Sequence, residues 1–214
     1  MEEPLRLVAF EFRGWLKGGN TRPLLVATTD ENGNQRVVVL KLRRPLPPVG
    51  DGHYGATSLA CELTCAVVAR AADIQVPDYA IVDVPAELSA AVPDTAAATL
   101  LSQNVGPNFG STFVEGMGLW HERDTASSPE LLGFFEQLIQ FDAALVNGDR
   151  KAIKANVLWR GTIAYAIDHS LALPVHQWPV GAENDIAMLP EAHVRQHAAF
   201  RIAGESKPRL RICP

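Results

Sequence analysis

The stretch from residue 145 to residue 168 constrains the fold most, because polar side chains alternate there with two short apolar runs. Asp149 follows an Asn-Gly turn signal, Asn156 opens the first apolar run, and Asp168 ends the second. Apolar, β-prone runs bounded by polar and glycine-containing segments are typical of strands. The pattern predicts loop, strand, turn and strand, with all three side chains in loops or at strand ends.

These three side chains are the groups that phosphoryl transfer from a magnesium nucleotide requires. One carboxylate orients the acceptor hydroxyl, and an amide and a second carboxylate hold the metal. Asp149 is therefore the candidate catalytic residue, and Asn156 and Asp168 are the candidate metal ligands. Each of them alone is more often an ordinary turn residue, so the prediction depends on their joint occurrence. Arg150 is interpreted as a partner for Asp149 or phosphate, or else as a surface arginine.

Composition excludes several classes of protein. The 214 residues are 47% hydrophobic, enough for a real core, and the net charge of −5 predicts no nucleic-acid partner. No run of 18 apolar residues predicts a membrane span, and the acidic start does not resemble a signal peptide. The three cysteines favour reduced thiols over a disulfide framework. We therefore expect a cytoplasmic protein without a membrane partner.

The fold class predicted from the pattern along the chain is α+β. The first half reads as strands and one helix, which indicates a small antiparallel sheet with a helix packed on it. The second half reads mainly as helix and loop, and the change falls near residues 84–86. The expected strands are 5–12, 24–28, 37–42, 76–84, 157–159 and 163–167, and the expected helices are about 57–72, 94–103, 129–144 and 190–202.

Further candidates lie in the first half. Lys41 ends the β-prone run before it and could neutralise nucleotide phosphates, with Glu62 on the next helix as its ion-pair partner. Both could instead be solvated surface charges. The glycine-rich segment 18–22 could bring backbone amides to phosphate, although a plain turn is as good an interpretation. Residues 108–112 are interpreted as a flexible, hydroxyl-bearing loop that could touch phosphate or the acceptor, although a plain surface loop is favoured.

The histidines predict no metal site. His193 and His197 are four residues apart, but the acidic residue of a zinc-protease helix is not between them. His169 is the one histidine beside the candidate site, next to Asp168.

Taken together, these segments resemble the HipA-like kinases, bacterial relatives of the phosphatidylinositol kinases within the wider protein-kinase fold. The resemblance covers about residues 5–178. It implies a bilobal fold with an N-terminal β-sheet lobe over residues 1–85 and a small, mainly helical C-terminal lobe over residues 86–214. The matching segments are Gly18-Gly19-Asn20-Thr21-Arg22-Pro23, Val38-Val39-Leu40-Lys41, Glu62 through Pro77, Asn108-Phe109-Gly110-Ser111, Asn147-Gly148-Asp149-Arg150, Asn156-Val157-Leu158-Trp159 and Ile167-Asp168-His169.

The resemblance also implies a role for each candidate residue, with ATP and Mg²⁺ as cofactors. Asp149 would be the catalytic carboxylate and Lys41 a catalytic lysine that contacts the ATP phosphates, supported by Glu62. Asn156 and Asp168 would hold magnesium. The segment 81–85 would be the hinge that meets adenine through its backbone. The nucleotide-contacting residues would be Gly19, Asn20, Thr21, Lys41, Glu62, Val82 and Val84.

One departure from the family pattern bears on activity. The metal-binding Asn usually lies five residues after the catalytic Asp, but that position here is Lys154, and Asn156 comes at seven. The leading hypothesis is an ATP- and Mg²⁺-dependent kinase of a protein Ser or Thr hydroxyl. The alternatives are an inactive nucleotide-binding pseudokinase and a small-molecule or lipid kinase. Kinship with toxin–antitoxin kinases adds the expectation of an antitoxin or regulatory partner.

Overall fold

The computed structural model describes residues 3–16, 22–44, 55–173 and 195–199. Within these ranges the chain is mixed α+β, as expected from the sequence. No helix in these ranges combines the length and the apolar character that crossing a membrane requires. The elements are β1 (Leu5–Trp15), β2 (Leu24–Thr29), β3 (Gln35–Lys41), α1 (Ala56–Ala71), β4 (Tyr79–Val84), α2 (Ala86–Ala90), α3 (Thr95–Ser102), β5 (Gly106–Thr112), β6 (Gly118–Leu119), α4 (Pro129–Ala144), β7 (Val157–Arg160) and β8 (Ile163–Ala166).

The first five strands form a closed barrel in the order β1-β2-β3-β5-β4. The expectation of an antiparallel sheet is wrong in one pairing, because β1 runs parallel to β4. Strand β1 closes the barrel by pairing with both β2 and β4. It is 11 residues long and has two register shifts against β2. Such bulges bend a strand and increase its twist. The N-terminal end of β1 thereby pairs with β4 while the rest of it pairs with β2.

Strand β5 replaces the loop that was expected at residues 108–112. It pairs with β3 on one side and β4 on the other, and Asn108, Phe109 and Gly110 are buried. A Cβ added to Gly110 would lie 2.5 Å from Cγ2 of Val82, so the close packing requires glycine there. Glycine and asparagine are depleted in strands, which is why the sequence pattern indicated a loop.

Residue contacts divide the chain into two compact units. The first is Met1–Thr64 with Pro77–Glu115, and the second is Cys65–Val76 with Gly116–Pro214. The boundary expected after residue 85 falls inside the first unit, between β4 and α2. The bilobal kinase-like arrangement and the domain ranges 1–85 and 86–214 therefore stay predictions. In the first unit, Leu88 of α2 and Leu100 and Leu101 of α3 join the buried cluster of barrel residues.

The second unit is built around α4, whose predicted range of 129–144 is confirmed. The side chain of Ser128 caps this helix by accepting a hydrogen bond from the Leu131 backbone N–H. The apolar face of α4 packs with Val157 and Trp120 against the small sheet β6-β7-β8. Of the helix expected at about 190–202, only residues 195–199 lie within the described ranges.

Candidate active site

The loop between α4 and β7 brings Asp149 and Asn156 together. It contains a tight turn in which Lys151 and Lys154 exchange backbone hydrogen bonds of 3.1 and 2.9 Å. The turn reverses the chain, so the Asn156 amide nitrogen lies 3.2 Å from Oδ2 of Asp149 and donates to it. Asp149 is partly buried and Asn156 is buried, directly before β7.

Asp168 reaches the same place from the end of β8. The backbone N–H of Ile167 donates to the Asn156 carbonyl at 3.0 Å, so Asp168 directly follows a residue bonded to Asn156. The ammonium of Lys154 lies 2.6 Å from Oδ2 of Asp149 and 3.8 Å from Oδ2 of Asp168. The structure therefore clusters Asp149, Asn156 and Asp168, three of the residues predicted for catalysis and metal binding, together with Lys154.

Asn156 and Asp168 both have left-handed backbone conformations, with φ of 49° and 59°. Asn and Asp are the residues other than glycine that adopt this conformation most readily. The conformation still costs free energy, and it persists where the surrounding structure requires it, often at functional sites. Both candidate metal ligands thus depend on a backbone that their neighbours hold in place.

Arg150 supplies much of that support. None of the roles predicted for it, as a partner of Asp149, as a partner of phosphate or as a surface residue, matches the structure, because Arg150 is 1% exposed and pairs with Asp142. Its Nε lies 2.5 Å from Asp142 Oδ2. Its Nη1 donates to the carbonyls of Ala155, Asn156 and Ile167 at 3.0, 2.6 and 3.2 Å. The Arg150 side chain therefore holds the backbone beside Asn156 and beside Asp168 to the loop that carries Asp149.

Asp142 is fully buried on α4 and was not expected to take part in the site. It accepts from Asn147 Nδ2 at 2.8 Å, and His197 Nε2 lies 2.8 Å from its Oδ2. Burial alone would raise the pKa of Asp142, but the Arg150 charge and the contact with His197 outweigh it and lower that pKa to about 2. The sequence signal that could have indicated a buried role for Asp142 is its position next to the buried apolar residues of α4.

The segment 195–199 packs against the loop that carries Asp149. The Ala198 N–H donates to the Arg150 carbonyl at 3.1 Å, and the Ala152 N–H donates to the Gln196 carbonyl at 3.2 Å. His197 is 2% exposed and contacts Asp142. His197 therefore serves as a structural partner of the loop, and its spacing from His193 in sequence gave no indication of this.

In the first unit, Lys41 of β3 and Glu62 of α1 form the direct ion pair that the sequence predicted. Their side chains are 16% and 3% exposed, so the pair is largely removed from water. The predicted phosphate-loop residues Gly19, Asn20 and Thr21 lie outside the described residues.

Val82 and Val84 are fully buried in the barrel core. Strand β4, which contains them, pairs with β5 along its whole length and with β1 over residues 80–83. This placement gives no support to a backbone contact with adenine. That role stays a prediction of the resemblance.

The oxygen atoms of Asn156 and Asp168 suit a magnesium ion. Mg²⁺ prefers hard oxygen ligands and usually takes one or two protein side chains together with water and phosphate. The Asn156 amide nitrogen donates to Asp149, so the amide oxygen is the atom that a cation would contact. Within the described ranges, no group of three or more His, Cys, Asp and Glu side chains could hold a metal ion. The donors of Asn156 and Asp168, an amide oxygen and a carboxylate, are of the oxygen type that Mg²⁺ takes together with water and phosphate.

A loop carboxylate bonded to an amide, with a second carboxylate beside them, is the kind of site used by kinase-type phosphotransferases. Comparison with known families agrees with this class. The model of a family described as HipA-like kinase matches residues 49–201, well over half of the chain. The chain belongs to the HipA-like kinase family. The matched range contains Asp149, Asn156 and Asp168 but begins after Lys41. No curated protein and no solved structure matches the chain.

Proposed function

We propose that this protein is an ATP- and Mg²⁺-dependent phosphotransferase that phosphorylates a Ser or Thr hydroxyl of a protein. One observation carries the proposal: the Asn156 amide donates to Asp149 while the Asn156 carbonyl accepts from the residue before Asp168. This arrangement supports the proposal, because it brings two carboxylates and an amide together within the second unit. Family membership supports the kinase class, and the acceptor and the cofactors are part of the proposal.

Asp149 orients the acceptor hydroxyl and takes its proton as the hydroxyl oxygen attacks the γ-phosphorus. The bond from that phosphorus to the β–γ bridging oxygen breaks, and ADP leaves. Asn156 and Asp168 would hold magnesium, which when bound neutralises charge on the phosphates. Arg150 does not touch the reactants and acts by holding the backbone around these ligands. Most of the rate enhancement would come from positioning and charge neutralisation.

Lys41 and Glu62 have a proposed role of their own in the first unit. A lysine held by a buried carboxylate is limited in the positions its ammonium can take. Such a lysine is suited to neutralise nucleotide phosphates. The partial burial of the pair supports this role, because a charge pair removed from water interacts more strongly than a solvated one.

The test is phosphate transfer with Mg²⁺-ATP, measured as ATP hydrolysis and autophosphorylation, for wild type, Asp149→Ala and Asp168→Asn. Each protein is also examined for a nucleotide-induced rise in Tm. Glu136→Ala, which removes a carboxylate from an exposed position of α4, is the control. The proposal requires that both site variants abolish transfer while the control keeps it. Transfer that survives both site variants would contradict it, as would the lack of any nucleotide effect in wild type.

A second candidate function is a nucleotide-binding pseudokinase. The observation that favours it is the Lys154 ammonium, which lies against Asp149 and near Asp168. A pseudokinase would show the rise in Tm with nucleotide but no transfer to any acceptor offered. A panel of protein, small-molecule and lipid-headgroup hydroxyls would separate this outcome from a missing acceptor. An antitoxin or regulatory partner remains an expectation from kinship.

A further inference from the structure

Lys154 places a positive charge among the candidate metal ligands. Its Nζ lies 2.6 Å from Asp149 Oδ2 and 3.8 Å from Asp168 Oδ2, so it contacts both carboxylates from within the site. The tight turn formed with Lys151 holds its backbone two residues before Asn156. The position of the ammonium is thus set by the same loop that presents the metal-binding amide.

The exposure of these groups argues against a mainly stabilising role. The Lys154 side chain is 46% exposed, and those of Asp149 and Asp168 are 19% and 28% exposed. Ion pairs in contact with solvent contribute little to folding. Lys154 can still act strongly on a bound metal ion, because a divalent ion held by Asn156 and Asp168 would meet the positive charge of the ammonium a few ångströms away.

We propose that Lys154 competes with a divalent cation for the carboxylate of Asp168 and, held beside Asp149, repels that cation, and so weakens metal binding at this site. The inference rests on the proposed function in taking Asn156 and Asp168 as the metal ligands. The ammonium neutralises part of the carboxylate charge when the metal is absent. Metal binding must displace the ammonium or overcome its repulsion. Removal of the Lys154 charge therefore tightens metal binding, although it adds no ligand.

The test is direct binding of Mn²⁺, used as the probe without nucleotide and followed by the loss of its free EPR signal, to the full chain. Lys154→Met is expected to bind Mn²⁺ roughly tenfold more tightly than wild type. Lys154→Arg keeps the charge and is expected to bind as wild type does. Lys151→Met removes the same charge from an exposed position of the same turn and is the matched control. Adding Asp168→Asn to Lys154→Met is expected to remove the gain.

Equal Mn²⁺ affinity of wild type and Lys154→Met would overturn the inference, and so would an equal gain in Lys151→Met. An absence of Mn²⁺ binding in every protein would also overturn it. The failure of the proposed function has a different signature. In that case Lys154→Met would still bind Mn²⁺ more tightly, while neither protein would transfer phosphate from Mg²⁺-ATP. Transfer by wild type with unchanged Mn²⁺ affinity in Lys154→Met would reject the role of Lys154 alone.

Discussion

Arg150 and Asp142 form an ion pair in which both side chains are 0% exposed and Nε lies 2.5 Å from Oδ2. Because Arg150 directly follows Asp149, the pair links the buried face of α4 to the candidate catalytic carboxylate. The guanidinium also reaches the carbonyls that precede Val157 and Asp168. The positions of the candidate ligands thus depend on a buried ion pair that includes none of the candidate catalytic or metal-binding residues.

Arg150→Met is expected to lower the free energy of unfolding by about 3 to 5 kcal/mol, because it leaves a buried carboxylate without its cation. Denaturant titration followed by circular dichroism measures this loss. Arg160→Met, at an exposed position, is the control and is expected to change stability by less than about 0.5 kcal/mol. Adding Asp142→Leu should restore part of the loss, since no uncompensated charge then remains. A double variant less stable than Arg150→Met would contradict this account.

The lowered pKa of Asp142 predicts how stability depends on pH. Its pKa is about 2 in the folded protein against an ordinary value of 3.8. The stabilisation that ionised Asp142 contributes to the folded protein is therefore fully present above about pH 4, and it is lost as the pH falls through about 2. The difference in unfolding free energy between wild type and Asp142→Asn should shrink by about 2 kcal/mol over that range. If this difference in unfolding free energy stays constant from pH 5 to pH 2, folding does not lower the pKa of Asp142.

The regular elements were the most predictable part of the fold. The helix Pro129–Ala144 has strong apolar periodicity and a serine cap, and the sequence predicted its bounds correctly. The closing of the barrel was not predictable in this way, because it depends on bulges in β1 and on the pairing of residues far apart in sequence. Strand β5 was missed because burial, and not strand propensity, determines its conformation.

The residues of the candidate site also differ in how far they could be predicted from the sequence. Asp149, Asn156 and Asp168 could be proposed together from the sequence, because their order along the chain matches the groups that phosphoryl transfer requires. Arg150 and Asp142 could not be paired from sequence, since both residue types are usually exposed. The contact of His197 with Asp142 joins residues 55 positions apart, which no local pattern indicates.

The pair Lys41–Glu62 gives a test confined to the first unit. Glu62→Leu should destabilise the protein, since it leaves the partly buried Lys41 beside an apolar group, and Lys41→Met should do the same to Glu62. The double variant should be more stable than either single variant. Nucleotide affinity, measured by calorimetry, should fall in all three because the lysine is absent or misplaced. Unchanged affinity in the stable double variant would exclude Lys41 as a phosphate contact.

Gly110→Ala should destabilise the barrel by about 1 to 3 kcal/mol, because its new methyl group would overlap Cγ2 of Val82. Val82→Ala in the same chain should relieve part of this cost. Gly133→Ala is the opposite control, since a Cβ there meets no atom within 4 Å in the middle of α4. It should stabilise the protein by about 0.5 to 1 kcal/mol. Thermal unfolding of wild type, the two Gly110→Ala proteins and Gly133→Ala checks the expected loss and the expected gain of stability. A Gly110→Ala variant as stable as wild type would contradict the close packing of β4 and β5.

Two substitutions of Asn156 distinguish the role of its backbone conformation in stability from the role of its amide in phosphate transfer. Asn156→Ala and Asn156→Gly both remove the amide that donates to Asp149, so both should abolish phosphate transfer. Only glycine adopts the φ of 49° without a steric cost. Asn156→Gly should therefore be more stable than Asn156→Ala by about 1 kcal/mol, measured by denaturant unfolding. Equal stabilities would show that position 156 does not keep the left-handed conformation. Transfer retained by a well-folded Asn156→Gly would show that the amide is dispensable and would remove Asn156 from the metal site.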